Sequence, residues 1–324
     1  MTMDRSTDQP AVSVPAHGAA PAARAPQALA SLPAGRPFRI GAIQSGRAVE
    51  LEAVWVGGDD PAAPVIVFLH EGLGSVSLWR DWPERLCRAA GWRGLVFSRA
   101  GYGQSTPRPA DERWGPDFLH IQATEVLPQV LDAVGLGGDA RPWLFGHSDG
   151  GSIALIFAAM FPQRAGGIVV AAPHIVVEPV TIASIEQARD AWHATDLRHK
   201  LARHHADPAS AFLGWNDIWL DPAFAGFDIT ALLPRIACPV LAAQGVDDEY
   251  GTLEQVRGIA RRVPQTELLE LPDCRHSPHR DQPDALERAV TDFLRRNAAT
   301  TPAAPCGTGH AATAAPARAA SPPH

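Results

Sequence analysis

Gly146-His147-Ser148-Asp149-Gly150-Gly151 carries the densest chemistry in this sequence. It places a serine in a G-x-S-x-G pattern, after the apolar run Trp143-Leu144-Phe145 and before Ile153-Ala154-Leu155-Ile156-Phe157-Ala158-Ala159. A strand, a sharp turn and a helix in that order make a nucleophile elbow. The glycines let backbone segments approach closely, while the serine is held in a strained conformation that projects its Oγ. The helix start offers N–H groups to a developing oxyanion. A hydroxyl at its ordinary pKa is a weak nucleophile, so a base must lie within hydrogen-bond reach and an acid must orient that base. Two downstream segments supply candidates. Gly245-Val246-Asp247-Asp248 closes the apolar run from Pro239 to Gln244, and Cys274-Arg275-His276-Ser277-Pro278-His279 follows Leu269-Glu270-Leu271. Both lie at strand ends, where sites of open α/β sheets collect. Spacing leaves two acids, Asp247 and Asp248, and two bases, His276 and His279.

Short β-rich apolar runs alternate with helix-period segments, the pattern of a mostly parallel sheet covered by helices. Strands are expected at Phe38–Gln44, Val49–Val56, Val65–His70, Gly94–Ser98, Trp143–Gly146, Gly167–Ala172, Val240–Gln244 and Glu267–Leu271. Helices are expected near Val76–Ala90, Leu119–Val134, Gly150–Phe161, Leu253–Arg262 and Pro283–Asn297. The first two strands have no helix between them and form an antiparallel hairpin at the sheet edge. The alternation stops over residues 174–236, too long for a plain loop, and a helical lid is expected there. Residues 1–36 and 298–324 are Ala- and Pro-rich with almost no large apolar side chain, so both are expected as disordered tails. The core then comprises 37–173 and 237–297.

The arrangement resembles the α/β-hydrolase superfamily across essentially the whole of 37–297. The resemblance rests on His70-Glu71-Gly72-Leu73-Gly74-Ser75 after the third strand, Ser98-Arg99-Ala100-Gly101-Tyr102-Gly103-Gln104-Ser105 after the fourth, the elbow at Ser148, Gly245-Val246-Asp247-Asp248, and Cys274-Arg275-His276. It implies an eight-stranded sheet with a helical lid and a Ser148, Asp248, His276 triad, Gly245 aligning Asp248 in preference to Asp247. His276 aligns with the family's histidine, with Arg275 where a glycine is usual. The resemblance puts the oxyanion hole on the backbone N–H groups of Asp149 and Gly72, with Glu71 as the fallback for the second donor, and assigns Arg99 and Ser105 structural roles. Glu71 stands where glycine is common; its carboxylate either repels anionic substrates or turns away to cap the loop. Serine at the elbow argues against the branches whose nucleophile is an aspartate. No cofactor is required.

Composition narrows the field further. Acids outnumber bases 35 to 28, for a formal charge of −7, and no Lys/Arg run exceeds a pair, so no nucleic-acid partner is expected. The most apolar stretch, Pro142–Ala159, is broken by His147 and Asp149, and no apolar h-region follows Asp4 and Arg5, so neither a membrane span nor a secretory signal is read. Cys87, Cys238, Cys274 and Cys306 lack CxxC spacing and read as free thiols in a reducing cytoplasm. The candidates His199, His204, His205 and His276, His279 match no metal-ligand template, so no metal is expected. His193, His199, His204 and His205 read as a solvated lid face. Trp192, Trp215 and Trp219, with Phe212 and Phe224, either wall an apolar substrate site or pack the lid onto the core.

A small-molecule carboxylic ester is the first expectation. Thioester, amide and C–C bond hydrolysis are alternatives on the same scaffold, and a non-catalytic ligand-binding protein comes last. The C–C reading would need a basic side chain in the pocket to hold a substrate carboxylate, for which Arg80 and Arg189 are the candidates.

Overall fold

The computed structural model describes residues 29–298. Eight strands form one sheet: β1 (Pro37–Gln44), β2 (Arg47–Gly57), β3 (Val65–Leu69), β4 (Arg93–Phe97), β5 (Trp143–His147), β6 (Gly167–Ala171), β7 (Val240–Gly245) and β8 (Thr266–Leu271). Their order is β1-β2-β4-β3-β5-β6-β7-β8, with β2 antiparallel to both neighbours and every other pair parallel. Ser45 and Gly46 close the first hairpin with φ of 49° and 77°, the left-handed pair that matches the twist of the flanking strands. Strands β4 to β7 are buried along their whole length, which is why they read as continuous apolar runs.

Alternate side chains point to opposite faces and build two cores. On one face Ile66, Phe68 and Val96 pack with Trp82 and Leu86 of α1 (Trp82–Ala90) and with Leu286, Val290 and Phe293 of α9 (Pro283–Ala298). On the other, Val67, Leu69 and Leu95 pack with α2, which runs through Phe118–Ile121, a π-helical turn Gln122–Val126 and Leu127–Ala133, and with α3 (Asp149–Met160). The expected helix at 76–90 is two pieces, a 3₁₀ turn at Ser77–Trp79 and α1, separated by Arg80 at φ 54°. Between β6 and β7 the chain forms α4 (Pro179–Ala194), α5 (Leu197–Leu201) and α6 (Pro208–Trp219); α7 (Glu254–Arg262) and α8 (Pro278–Asp281) follow later.

The folded unit starts earlier than composition suggests. Leu29 is buried, its carbonyl accepts from Trp55 Nε1 at 2.8 Å, and Arg93 donates to the carbonyls of Ala30 (2.9 Å) and Leu32 (3.2 Å) while its guanidinium lies 4.2 Å from the Trp55 ring. Two leucines and three carbonyls thus cover the Trp55–Arg93 pair, a task that needs little apolar surface and leaves no periodic trace. Expectations for residues 1–28 and 299–324, Cys306 included, lie outside the described residues; Cys87, Cys238 and Cys274 are buried free thiols. No helix among the described residues is long and apolar enough to cross a membrane. A chain beginning at Pro37 should be less stable than one beginning at Ala28 by about 1–3 kcal/mol in urea denaturation, because the Trp55 and Arg93 donors lose their acceptors. Equal stability of the two chains would show that the 29–36 segment contributes nothing.

Candidate active site

Ser148 sits between β5 and α3 with φ 52° and ψ −118°, outside the regions a side-chain-bearing residue normally occupies. Close packing holds it there. A Cβ on Gly146 would lie 2.2 Å from the Gly150 carbonyl oxygen, and one on Gly150 would lie 1.9 Å from that of Leu69, so the turn is sterically closed to any other residue at either place. The Ser148 N–H donates to the Ala171 carbonyl of β6 at 2.9 Å, fastening the elbow to the next strand.

Three side chains from separate strand ends meet here. His276 Nε2 lies 3.0 Å from Ser148 Oγ, and its Nδ1 lies 2.8 Å from Asp248 Oδ1. The same Oδ1 accepts the Tyr250 N–H at 2.8 Å. Burial pushes the Asp248 carboxyl up, but the His276 charge and hydrogen bond and the Tyr250 N–H outweigh it and leave it below its ordinary value. Asp247 instead donates its N–H to the Cys274 carbonyl at 3.0 Å and is exposed. His279 packs on Trp79 with ring centroids 5.1 Å apart, away from the serine. His174, beside the His276 ring at 5.9 Å, is pushed down to about 3 by burial and by the neighbouring His276.

The loop after β3 lies against the start of α3. As the first residue of α3, Asp149 has an N–H with no intrahelical acceptor. Arg99 fixes both sides of this junction: Nη2 donates to the Glu71 carbonyl at 2.9 Å, and its two terminal nitrogens donate to Asp149 Oδ2 at 3.3 and 3.4 Å. Trp219 Nε1 donates to Asp149 Oδ1 at 3.2 Å. Burial pushes the Asp149 carboxyl up, with Arg99 and Trp219 opposing. His70 completes the junction, with Nδ1 donating to the Glu71 carbonyl at 2.7 Å and Nε2 accepting the Arg99 N–H at 3.0 Å.

A cavity of about 130 Å³ opens onto Ser148. Glu71, Gly72 and Leu73 form one wall, Tyr250, His276 and Ser277 another, and Ile185 of α4 with Trp215 and Trp219 of α6 roof it. No lysine or arginine lines it. Arg189 instead borders a separate cavity with Arg108 and Arg113, and Arg80 lines neither. Among the described residues no group of three or more His, Cys, Asp or Glu is placed to hold a metal ion.

The sequence model of the alpha/beta hydrolase fold family matches residues 64–228. This chain belongs to that family. "Putative carbamate hydrolase RutD" of Caulobacter sp. (strain K31) is 28% identical over 255 residues, covering 72% of this chain and 91% of the relative. A 2-hydroxy-6-oxo-6-phenylhexa-2,4-dienoate hydrolase of Burkholderia cepacia is 22% identical over 256 residues, covering 71% and 87%. A thermophilic esterase structure from Thermogutta terrifontis superposes with a TM-score of 0.62 at 21% identity, over 81% of this chain and 99% of that one, a likeness of fold. The chain is a hydrolase of this fold.

Several residues differ from expectation in this α/β hydrolase. Trp192 does not line the cavity; it stacks on Phe212, centroids 4.4 Å apart and planes 6° apart, and holds the insertion together. His205 is not on a solvated face. It is buried, accepts the Gly103 N–H at Nδ1 (2.9 Å) and bonds the Leu73 carbonyl through Nε2 (3.1 Å), clamping the insertion onto the loops after β3 and β4. His204 likewise meets Ser77 Oγ at 3.0 Å, whereas His193 and His199 are exposed. Arg99, by contrast, has the structural role expected of it and ties Glu71 to Asp149; its only sequence signal is a lone arginine at the end of an apolar strand. Replacing Arg99 with Leu leaves Asp149 buried without its cation and should cost about 3–5 kcal/mol. Adding Asp149→Asn should restore part of that loss, read as a negative coupling energy in a double-mutant cycle. Additive losses would show that the pair does not interact.

Proposed function

We propose that this hydrolase cleaves small, uncharged carboxylic esters through a covalent acyl-enzyme on Ser148. The observation that carries the reading is the His276 imidazole, bonded at once to Ser148 Oγ (3.0 Å) and to the Asp248 carboxylate (2.8 Å). His276 takes the hydroxyl proton as Oγ attacks the carbonyl carbon, and Asp248 keeps the tautomer that leaves Nε2 free to accept it. The N–H groups of Asp149 and Gly72 receive the oxyanion of the tetrahedral intermediate. His276 then gives its proton to the leaving alcohol, and water repeats the sequence on the acyl-enzyme to release the acid. The α4–α6 insertion serves as the lid, with Trp215 and Trp219 against the acyl group. The buried thiols fit a cytoplasmic setting, and a small molecule is the partner.

The cavity argues for the substrate class. Its volume of about 130 Å³ is well under the roughly 300–1,000 Å³ of sites for drug-sized ligands. Glu71 supplies a carboxylate to the wall and no lysine or arginine balances a second anion there. That disfavours C–C hydrolysis of an acid such as the dienoate named for the Burkholderia relative.

Turnover of p-nitrophenyl acetate should exceed that of the octanoate ester and vanish in Ser148→Ala. Asp248→Asn should lower kcat by about 10⁴, as loss of the orienting acid does in serine triads, with Asp247→Asn close to wild type. Activity surviving in Ser148→Ala would overturn the nucleophile, and the reverse order of the two aspartates would move the acid by one residue.

A further inference from the structure

Two consecutive acids of the loop after β7 reach the same histidine. Asp248 holds the His276 ring at Nδ1, and Glu249 holds its main chain, the His276 N–H donating to Glu249 Oε2 at 3.2 Å. The other carboxylate oxygen of Glu249, Oε1, meets Arg275 Nη2 at 3.1 Å. Adjacent residues of the histidine loop, Arg275 and His276, thus occupy both oxygens of one side chain from the acid loop. The backbone of that acid loop is anchored in turn by α4: Ser184 Oγ donates to the Glu249 carbonyl at 2.5 Å, and Thr181 Oγ1 to the Tyr250 carbonyl at 2.5 Å.

Closer to the strands the two loops touch through backbone, where the Asp247 N–H donates to the Cys274 carbonyl at 3.0 Å. That contact stops short of the histidine. The His276 carbonyl is held from another side, by His147 Nε2 of β5 at 2.7 Å. The position of an imidazole is set by its main chain and by two side-chain torsions. The bond to Asp248 fixes the ring's rotation and tautomer; the N–H bond to Glu249 fixes where the main chain stands relative to the acid loop. The Glu249 side chain is 36% exposed, and the guanidinium on its second oxygen keeps it in the rotamer that faces His276 rather than water. Exposed ion pairs add little to stability, so what this one supplies is geometry.

We propose that Glu249 is a positioning residue of the triad, holding the His276 main chain against the acid loop, with Arg275 locking its rotamer. Asp248 and Glu249 then act as a pair on one histidine, the first on its ring and the second on its backbone. This gives a function to the arginine that stands where glycine is usual.

The catalytic consequence rests on His276 being the base; the contact itself does not. In full-length protein labelled with ¹⁵N-histidine, with the His276 amide assigned by its loss in His276→Gln, the amide proton should move upfield in Glu249→Ala. It should hold its place in Glu249→Gln, whose carboxamide oxygen still accepts. Glu249→Ala should lower kcat on p-nitrophenyl acetate and the rate of Ser148 labelling by a small fluorophosphonate together, by about tenfold at nearly unchanged KM, as displacement of a catalytic group does. Glu249→Gln should keep most of both. Arg275→Ala, at a side chain 69% exposed, should lower both rates less, and adding it to Glu249→Ala should change nothing further. An unmoved His276 amide in Glu249→Ala overturns the contact, whatever the substrate. Wild-type rates in folded Glu249→Ala overturn the positioning role, and so does an equal loss in Glu249→Gln, because charge rather than the hydrogen bond would then be acting. Wild-type protein that labels but turns over no ester would count against the ester reading, with the labelling rates still deciding the part of Glu249.

Discussion

Ser148 is held at φ 52° by neighbours that leave the backbone no other course, and the site is arranged around that strain. Such a conformation costs about 1–3 kcal/mol and persists only where its surroundings over-determine it. Here they include the bare backbones of Gly146 and Gly150, the Leu69 carbonyl against the start of α3, and the bond from Ser148 N–H to β6. The same turn aims Oγ at His276 and begins a helix with Asp149, whose N–H is left without an intrahelical acceptor.

Around this elbow the strand ends are joined by a network of buried polar side chains. Arg99 is the hub, reaching Glu71, His70 and Asp149 from the end of β4, while Trp219 and His205 bring the insertion into the same network. Such a network is costly when one member is missing and specific when complete. It makes the roof over the cavity part of the site's own geometry, since Trp219 both lines the cavity and bonds Asp149. On the far side the acid loop is pinned by close approach, a Cβ on Gly245 falling 2.1 Å from the Cys274 carbonyl oxygen, which sets Asp248 beside the loop bearing His276.

Strands β4 to β7 were legible in the sequence because strands buried on both faces must be apolar throughout, β1 because buried and exposed residues alternate along it, and the elbow because its glycines are sterically required. Boundaries shifted by a residue or two, as for β2, which runs Arg47–Gly57 where Val49–Val56 was expected. What escaped the sequence acts through single long-range bonds. Leu29 and Leu32 lie in an Ala- and Pro-rich stretch, yet only their place over Trp55 and Arg93 makes them structural. His205 has the spacing of a solvated residue and the environment of a core one. Trp192 and Trp215 share a residue type and an insertion, but only Trp215 reaches the cavity, because the stack with Phe212 turns Trp192 inward.

The central claim is that Ser148 is an activated nucleophile, and reaction with a fluorophosphonate tests it most directly. Intact-mass measurement followed by peptide mapping should find one adduct, on Ser148, that is absent from folded Ser148→Ala. An adduct at another residue, or no adduct on folded wild-type protein that a small fluorophosphonate can enter, would contradict the account.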